Sequence, residues 1–97
     1  CPITKTAEVL GGKWSLPIIF SLIKETKRFK ELERQIEGIN TRMLVKELKQ
    51  LENNGIVVRK VYPEIPPKVE YSLTEKGRAI KNVLIEMRNW GNEYITK

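Results

Sequence analysis

The hydrophobic pattern of the chain changes period near residue 56. Upstream of it, apolar residues recur every three or four positions, which is typical of helices that bury one face. Ile56 to Tyr62 is instead rich in valine, and from Val69 to Leu73 apolar residues alternate with polar ones, which predicts two strands. Pro63, Pro66 and Pro67 lie between these segments and cannot donate the hydrogen bonds of a strand ladder. The prolines therefore predict the tip of a long hairpin.

Five helices are predicted around this hairpin, four before it and one after it. Gly11-Gly12 ends the first helix, and the second begins near Trp14, so that Pro17 falls in a first turn that tolerates it. The third helix ends at Glu37-Gly38, while the fourth begins at Asn40 or Thr41 and ends at Asn54-Gly55. Thr74 caps the last helix. Its apolar stripe consists of Ile80, Val83, Leu84, Met87, Trp90 and Tyr94.

Length and composition restrict both the architecture and the chemistry. The 97 residues predict a single domain, 1–97. There is no histidine or aspartate and only one cysteine, Cys1, so Ser-His-Asp and Cys-His catalysis and His- or multi-Cys metal sites are excluded. Glutamate pairs remain available, but the twelve glutamates are dispersed among basic residues. We therefore expect that the protein is not an enzyme and that it binds no cofactor and no metal.

The expected location is the cytoplasm. The longest apolar run, LPIIF at 16–20, is far shorter than the ~20 residues of a membrane helix. A single cysteine cannot form an internal disulfide, which favours a reducing compartment. No signal-like segment is visible, and because the sequence starts at Cys1 rather than methionine we expect further residues upstream.

The fourth predicted helix carries the candidate function. At about 100° per residue, Leu44, Leu48 and Leu51 share one face, and the opposite face gathers Arg42, Lys46, Lys49 and Asn53. A helix held on the core by its leucines presents these cations outward, as a recognition helix in a DNA major groove requires. The alternative is that the face is simply solvated. The net charge of +6 fits either a polyanionic partner or a basic soluble domain.

Two short helices followed by a two-stranded hairpin describe a winged helix-turn-helix, an α+β and mainly helical fold. Its wing accounts for further basic residues, which we expect to meet DNA beside the recognition helix. The candidate phosphate contacts are Lys27, Arg28 and Lys30 at the start of the third helix, and Arg59, Lys60 and Lys68 on the wing. Solvation remains the alternative for each wing cation.

The first and last helices lie outside this motif and carry surplus apolar surface, which predicts a homodimer. The candidate interface residues are Ile3, Ala7, Leu10, Leu84, Met87 and Trp90. In the alternative, Met87 and Trp90 cover the core of their own chain. A two-fold dimer would place two recognition helices on successive major grooves, ~34 Å apart.

The chain also resembles the HxlR-type family of bacterial winged helix-turn-helix regulators, which is related to the MarR fold. The resemblance rests on CPI at 1–3, GGKW at 11–14, RFKEL at 28–32, LKQLENNGIVVR at 48–59 and PPKVEYSLTEKG at 66–77. The last segment is the most specific of these, and Trp90-Gly91 fits as well. Two positions depart from the family pattern: Pro17 stands where aliphatic residues are usual, and Asn40 replaces a common serine at the cap of the recognition helix.

The resemblance implies a cytoplasmic homodimer that binds an inverted repeat of double-stranded DNA near promoters and represses or activates genes, several relatives responding to electrophiles or oxidants. By position it implies that Asn40, Thr41, Arg42, Lys46 and Lys49 belong to the recognition helix, and that Tyr62 to Lys68 forms the wing. From these indications we expect a regulator, and more specifically a repressor. The competing prediction is a winged-helix module that binds proteins without reading DNA.

Cys1 is a candidate thiol sensor. Its position just ahead of a helix, with Lys5 one turn further on, favours the reactive thiolate. Oxidation to a sulfenic acid or to a disulfide between subunits would then shift the DNA-binding helices. The alternatives are a small inert thiol packed in a dimer interface and, without other support, a one-cysteine redox enzyme.

Overall fold

A computed structural model describes residues 1–96 as six helices and a small antiparallel sheet. The helices are α1 (Pro2–Leu10), α2 (Ser15–Lys24), α3 (Phe29–Gln35), α4 (Thr41–Asn53), α5 (Glu75–Arg78) and α6 (Lys81–Tyr94). The strands are β1 (Lys27–Arg28), β2 (Val57–Tyr62) and β3 (Lys68–Leu73), in the spatial order β1-β3-β2. This is the predicted winged helix-turn-helix, with α3 and α4 followed by the β2–β3 hairpin.

The core lies between the helices and one face of the sheet. Because α2 is apolar over most of its surface, Ile18 and Ile19 are both fully buried, and α4 adds one leucine face. The buried apolar residues are Leu10, Ile18, Ile19, Leu22, Leu32, Ile36, Leu44, Leu48, Leu51, Ile56, Val57, Tyr71, Leu73 and Leu84. No helix within residues 1–96 combines the length and the apolar character that crossing a membrane requires.

The sheet has a third strand that the sequence pattern did not predict. Lys27 pairs with Tyr71 and Arg28 with Glu70, both antiparallel, so β3 is the central strand. Two residues are too few to show alternation. β1 nevertheless matters for the site, because it fixes the start of α3 against the base of the hairpin.

The predicted last helix is divided in two. Thr74 caps α5 as expected, its hydroxyl accepting a hydrogen bond from the Gly77 amide at 3.0 Å. The Ile80 amide then bonds to the Gly77 carbonyl three residues back, at 3.1 Å, so the chain tightens before α6 begins. Gly77 itself packs against the residue just before β2, because a Cβ there would stand 2.3 Å from the Ile56 carbonyl oxygen. This close contact anchors α5 on the sheet.

Candidate nucleic-acid interface

Helix α4 lies on the core through its leucines and is capped at its first turn. The Asn40 side chain accepts a hydrogen bond from the Met43 amide at 2.8 Å. The Thr41 hydroxyl donates to the Glu33 carboxylate of α3. Asn40 and Thr41, both predicted on the recognition helix, are thus exposed at its N-terminus; Asn40 caps α4, and Thr41 links α4 to α3.

The opposite face of α4 carries cations without counter-ions. Arg42, Lys46 and Lys49 are exposed, and none of them forms an ion pair or side-chain hydrogen bond within residues 1–96. The two glutamates of the helix are half-buried on its flanks, and Glu47 accepts a bond from the Ser15 hydroxyl at 3.4 Å. The acidic groups are therefore turned away, which leaves this surface, called the basic face below, with three uncompensated charges.

The start of α3 places only part of its predicted phosphate contacts at the surface. Arg28 and Lys30 are exposed, and the Lys30 ammonium lies 3.7 Å from a Glu33 oxygen. The Arg28 amide donates to Glu31 at 2.9 Å, so the protein supplies its own anion at the first turn.

Lys27 lies differently from its expected position. It is 8% exposed, because β1 turns its side chain inward, and its ammonium pairs with Glu25 at 2.9 Å. The hydrogen bond and charge of Lys27 lower the pKa of the Glu25 carboxyl below its usual 4.5. We therefore omit Lys27 from the proposed contacts.

The wing carries a group of interacting side chains next to its tip, which we call the wing cluster: Lys60, Tyr62, Lys68 and Glu70. The Lys60 and Lys68 ammonium groups lie 4.9 and 5.0 Å from the centre of the Tyr62 ring. Lys68 also pairs with Glu70 at 3.5 Å. A hydrogen bond with Tyr62 is the main cause that lowers the pKa of the Glu70 carboxyl, and the charges of Lys68 and Arg28 lower it further. The cluster therefore holds two wing lysines beside one ring.

Arg59 lies on the other face of β2 from Lys60, since neighbouring strand residues point to opposite sides. It faces Tyr71 in the strand register. Burial raises the pKa of the Tyr71 phenol above its usual 10.0, and the charge of Glu52 raises it further, against the opposing effect of Arg59. With Lys49 and Glu52 of α4, Arg59 lines a concavity between α4 and the hairpin.

Two residues of this surface, Arg34 and Val45, are not among the predicted contacts, and Tyr62 was predicted only as part of the wing segment. Arg34 is exposed and lines, with Arg28, Lys30 and Lys68, a groove of about 610 Å³ between α3 and β3. Its spacing of four residues from Lys30 was a usable signal. The contacts of Tyr62 with two lysines depend on strand pairing, which the sequence pattern does not show. The exposure of Val45 on α4 depends on packing, and an apolar residue carries no charge that would mark it as a contact.

The apolar residues predicted for an interface divide into two groups. Ile3, Ala7, Met87 and Trp90 are exposed, and Trp90 is 59% exposed, so it does not cover the core of its own chain. Leu10 and Leu84 are each 7% exposed and belong to that core, which corrects their assignment to an interface. The apolar stripe of a helix does not show which of its residues pack against their own chain and which stay exposed.

The exposed group extends into a continuous surface, which we call the end-helix patch: Ile3, Val83, Met87, Trp90, Tyr94 and Ile95. Val83 and Met87 line two adjoining concavities of about 490 and 730 Å³, one shared with α1 and the other along α6. The Trp90 and Tyr94 rings are in contact, with centroids 5.5 Å apart and planes tilted by 43°. Cys1 is exposed at the first turn of α1, and its neighbour Pro2 lines the first of these concavities.

The surface described here holds no metal-binding group: within residues 1–96 no three Cys or Glu side chains converge on a common point. Its chemistry is that of unpaired cations on a capped helix, with a basic hairpin alongside. This arrangement is suited to the phosphates and base edges of a nucleic acid.

Comparison with known proteins gives a consistent result. YdeP of Bacillus subtilis (strain 168), an HTH-type transcriptional regulator, is 44% identical over 94 residues, which cover 97% of this chain and 73% of YdeP. The redox regulator HypR in its oxidized form superposes with a TM-score of 0.90 at 45% identity, covering 96% of each chain. The reduced form of the transcriptional regulator YodB from B. subtilis superposes with a TM-score of 0.86 at 45% identity, covering 98% of this chain and 94% of YodB.

The family model for the HxlR-like helix-turn-helix matches residues 9–97. It spans α2 to α6 and so includes the basic face, the wing and most of the end-helix patch. The protein is thus a transcriptional regulator of the helix-turn-helix type, and the chain belongs to the HxlR-like family.

Proposed function

We propose that this regulator binds an inverted DNA repeat as a homodimer in the cytoplasm, inserts α4 into the major groove, and represses transcription by occupying promoter DNA. The observation that carries the proposal is the basic face: Arg42, Lys46 and Lys49 are exposed and unpaired within residues 1–96. A cation that is already paired within the protein gains less free energy from binding a phosphate, because the internal pair has to be broken. These three lose no internal partner when they bind one.

The dimensions of α4 fit this role. Its 13 residues extend over about 20 Å, and the major groove is ~12 Å wide, enough to admit a helix. Arg42, in the first turn, is placed where recognition helices contact base edges, and its guanidinium can donate two bonds to guanine. Lys46 and Lys49 follow along the same face. We assign Arg42 to base recognition and the two lysines mainly to phosphates.

The wing and the start of α3 supply flanking contacts in this proposal. Arg28, Lys30 and Lys68 line one groove between α3 and β3. Lys60 shares the Tyr62 ring with Lys68, so these cations approach the DNA backbone together, as one flanking group. Because Lys68 is already paired with Glu70, its contact adds little net charge and serves mainly to position the wing.

Dimerisation through the end-helix patch is supported by exposure that a single small chain rarely leaves open. Met87, Trp90 and Tyr94 are 49%, 59% and 70% exposed along one side of α6. Gly91 adds an independent indication. A Cβ at Gly91 would meet nothing within 4 Å in the chain, although glycine within a helix costs ~0.5–1 kcal/mol relative to alanine. A second helix crossing close to Gly91 accounts for the glycine.

The first experiment separates DNA recognition from the protein-binding alternative. The protein is incubated with a random-sequence DNA duplex pool at physiological salt with excess competitor DNA, and the retained duplexes are sequenced. We expect enrichment of an inverted repeat, and Arg42→Ala should relax the preference at one position of each half-site. Lys81→Ala, which removes an exposed cation at the start of α6, is the matched control and should enrich the same repeat. Retention without any shared sequence would contradict the proposal and favour the protein-binding module.

The dimer is tested by its mass in solution. Met87→Glu introduces a charge in the middle of the end-helix patch, whereas Asn89→Glu introduces the same charge at an exposed α6 position outside the patch. We expect only Met87→Glu to yield a monomer in sedimentation equilibrium. A wild-type monomer at micromolar concentration would refute the dimer.

We also propose that Cys1 senses oxidants. Its thiol is exposed beside the end-helix patch, and HypR, a structural relative, is described as a redox regulator. Two Cys1 thiols of a dimer would lose two electrons and two protons to diamide and form a disulfide. Cys1→Ser should keep DNA binding and lose its sensitivity to diamide. Equal inhibition of both proteins would exclude Cys1 as the sensor.

A further inference from the structure

Val45 is the one large apolar side chain of α4 that lies open to solvent. It is 43% exposed, while Leu44, Leu48 and Leu51 of the same helix are at most 2% exposed. A single exposed valine is ordinary on a protein surface. Val45, however, lies among cations on the helix that is proposed to enter the major groove, so its exposed side chain is placed to contact DNA in that proposal.

The helical rotation places Val45 at the edge of the basic face. At about 100° per residue, it lies about 60° around α4 from Arg42 and about 40° from Lys49. It is the fifth residue of the helix, within the N-terminal half from which recognition helices contact bases. A duplex held by Arg42 and Lys49 would therefore bring base edges against Val45.

An apolar recess adjoins Val45 on the side of the sheet. The side chain lies at a concavity of about 330 Å³ between α4 and the hairpin, where Phe29 and Val69 are half-buried and Lys49 and Arg59 also line the walls. A methyl group entering there would leave water and contact several apolar atoms. Lys49 and Arg59 outnumber Glu52, which also lines the recess, so its net positive charge favours a polyanion that carries such a methyl group over an apolar protein surface.

We propose that Val45 recognises the C5-methyl group of a thymine in the major groove and so selects thymine over cytosine at one position of each half-site. Valine has no hydrogen-bonding group, so it cannot read donors or acceptors. The methyl of thymine is the one apolar feature among the four bases on that groove edge. This inference rests on the proposed insertion of α4, and it adds the base that an uncharged residue selects.

The test is a cycle between the protein and the DNA methyl group. The repeat selected from the random duplex pool is synthesised with each thymine replaced in turn by uracil, which lacks only the methyl. Wild type and Val45→Ser are titrated against every duplex by fluorescence anisotropy. Val58→Ser is the matched control, because Val58 is 47% exposed on β2, at the opposite end of the strand from the wing tip.

At one thymine in each half-site, we expect uracil to weaken wild-type binding about four-fold, the value of one buried methyl group. Val45→Ser should bind the thymine and uracil duplexes equally at that position, and Val58→Ser should behave as wild type. If a repeat is selected but no thymine shows this coupling to Val45, the inference is wrong while the proposed function stands. If no repeat is selected, the proposed function fails and this inference fails with it.

Discussion

Replacing Lys46 by glutamine gives a quantitative test of the basic face. Lys46 is exposed near the middle of α4 and has no partner within residues 1–96, so its loss removes a charge without leaving an internal group unpaired. Glutamine keeps a polar side chain of similar length and good helix propensity. The free energy of unfolding should therefore stay within about 0.5 kcal/mol of wild type.

The expected size of the effect follows from counter-ion release. Each neutralised phosphate contributes about 0.9 to the slope of log affinity against log salt. A dimer carries Lys46 twice, so the substitution should reduce that slope by about 1.8. Between about 50 mM and about 200 mM salt, the affinity deficit of the variant should then shrink about 12-fold.

The assay is anisotropy of a labelled duplex at several salt concentrations, with sedimentation to confirm the oligomeric state. Lys81→Gln is the control, since it removes the same charge from the start of α6, and its line should run parallel to that of wild type. A Lys46→Gln line parallel to wild type would refute the phosphate contact. A slope reduced by about 0.9 rather than 1.8 would indicate that one α4 per dimer meets DNA.

Three further results are expected. Gly77→Ala should destabilise the fold by about 1–3 kcal/mol, lowering Tm in calorimetry, because its Cβ would clash with the Ile56 carbonyl. Because burial raises the pKa of Tyr71, the unfolded chain loses that proton first; stability should fall as pH rises past about 10, and the fall should be smaller in Tyr71→Phe on alkaline denaturation. Tyr62→Phe removes the hydrogen bond to Glu70 and keeps the ring, so the pKa of Glu70 measured by NMR should rise while the fold is retained.

The sequence predicted best those features whose causes are local. The bounds of α4 were predictable because its cap at Asn40, its leucine spacing and its closing Asn54-Gly55 lie within the same 16 residues. The hairpin was predictable from its alternation and its prolines. β1 was not, since its existence depends on pairing between Lys27 and Tyr71, which lie far apart in the chain.

The functional residues show the same division. The outward direction of Arg42, Lys46 and Lys49 followed from helical periodicity. The burial of individual residues did not follow from periodicity: Leu10 and Leu84 belong to the core, and the Lys27 side chain points inward. A sequence shows which residues are charged, whereas the structure shows which of those charges are already paired with a neighbouring group.

That distinction also explains why the net charge of +6 was weak support for a DNA partner and the structure is stronger support. Lys27, Lys30 and Lys68 lie near glutamates, and Arg78 donates to the Leu73 carbonyl at 2.8 Å, so these cations contribute to holding the fold. Ion pairs at exposed sites, such as that of Lys30 with Glu33, are worth only ~0–1 kcal/mol, and a phosphate can compete with them. Arg42, Lys46 and Lys49 have no partner within residues 1–96 that a phosphate would have to displace. Other exposed cations, such as Lys81 and Arg88 on α6, are also unpaired within residues 1–96. What distinguishes α4 is that three such cations share one face of a capped helix beside a wing.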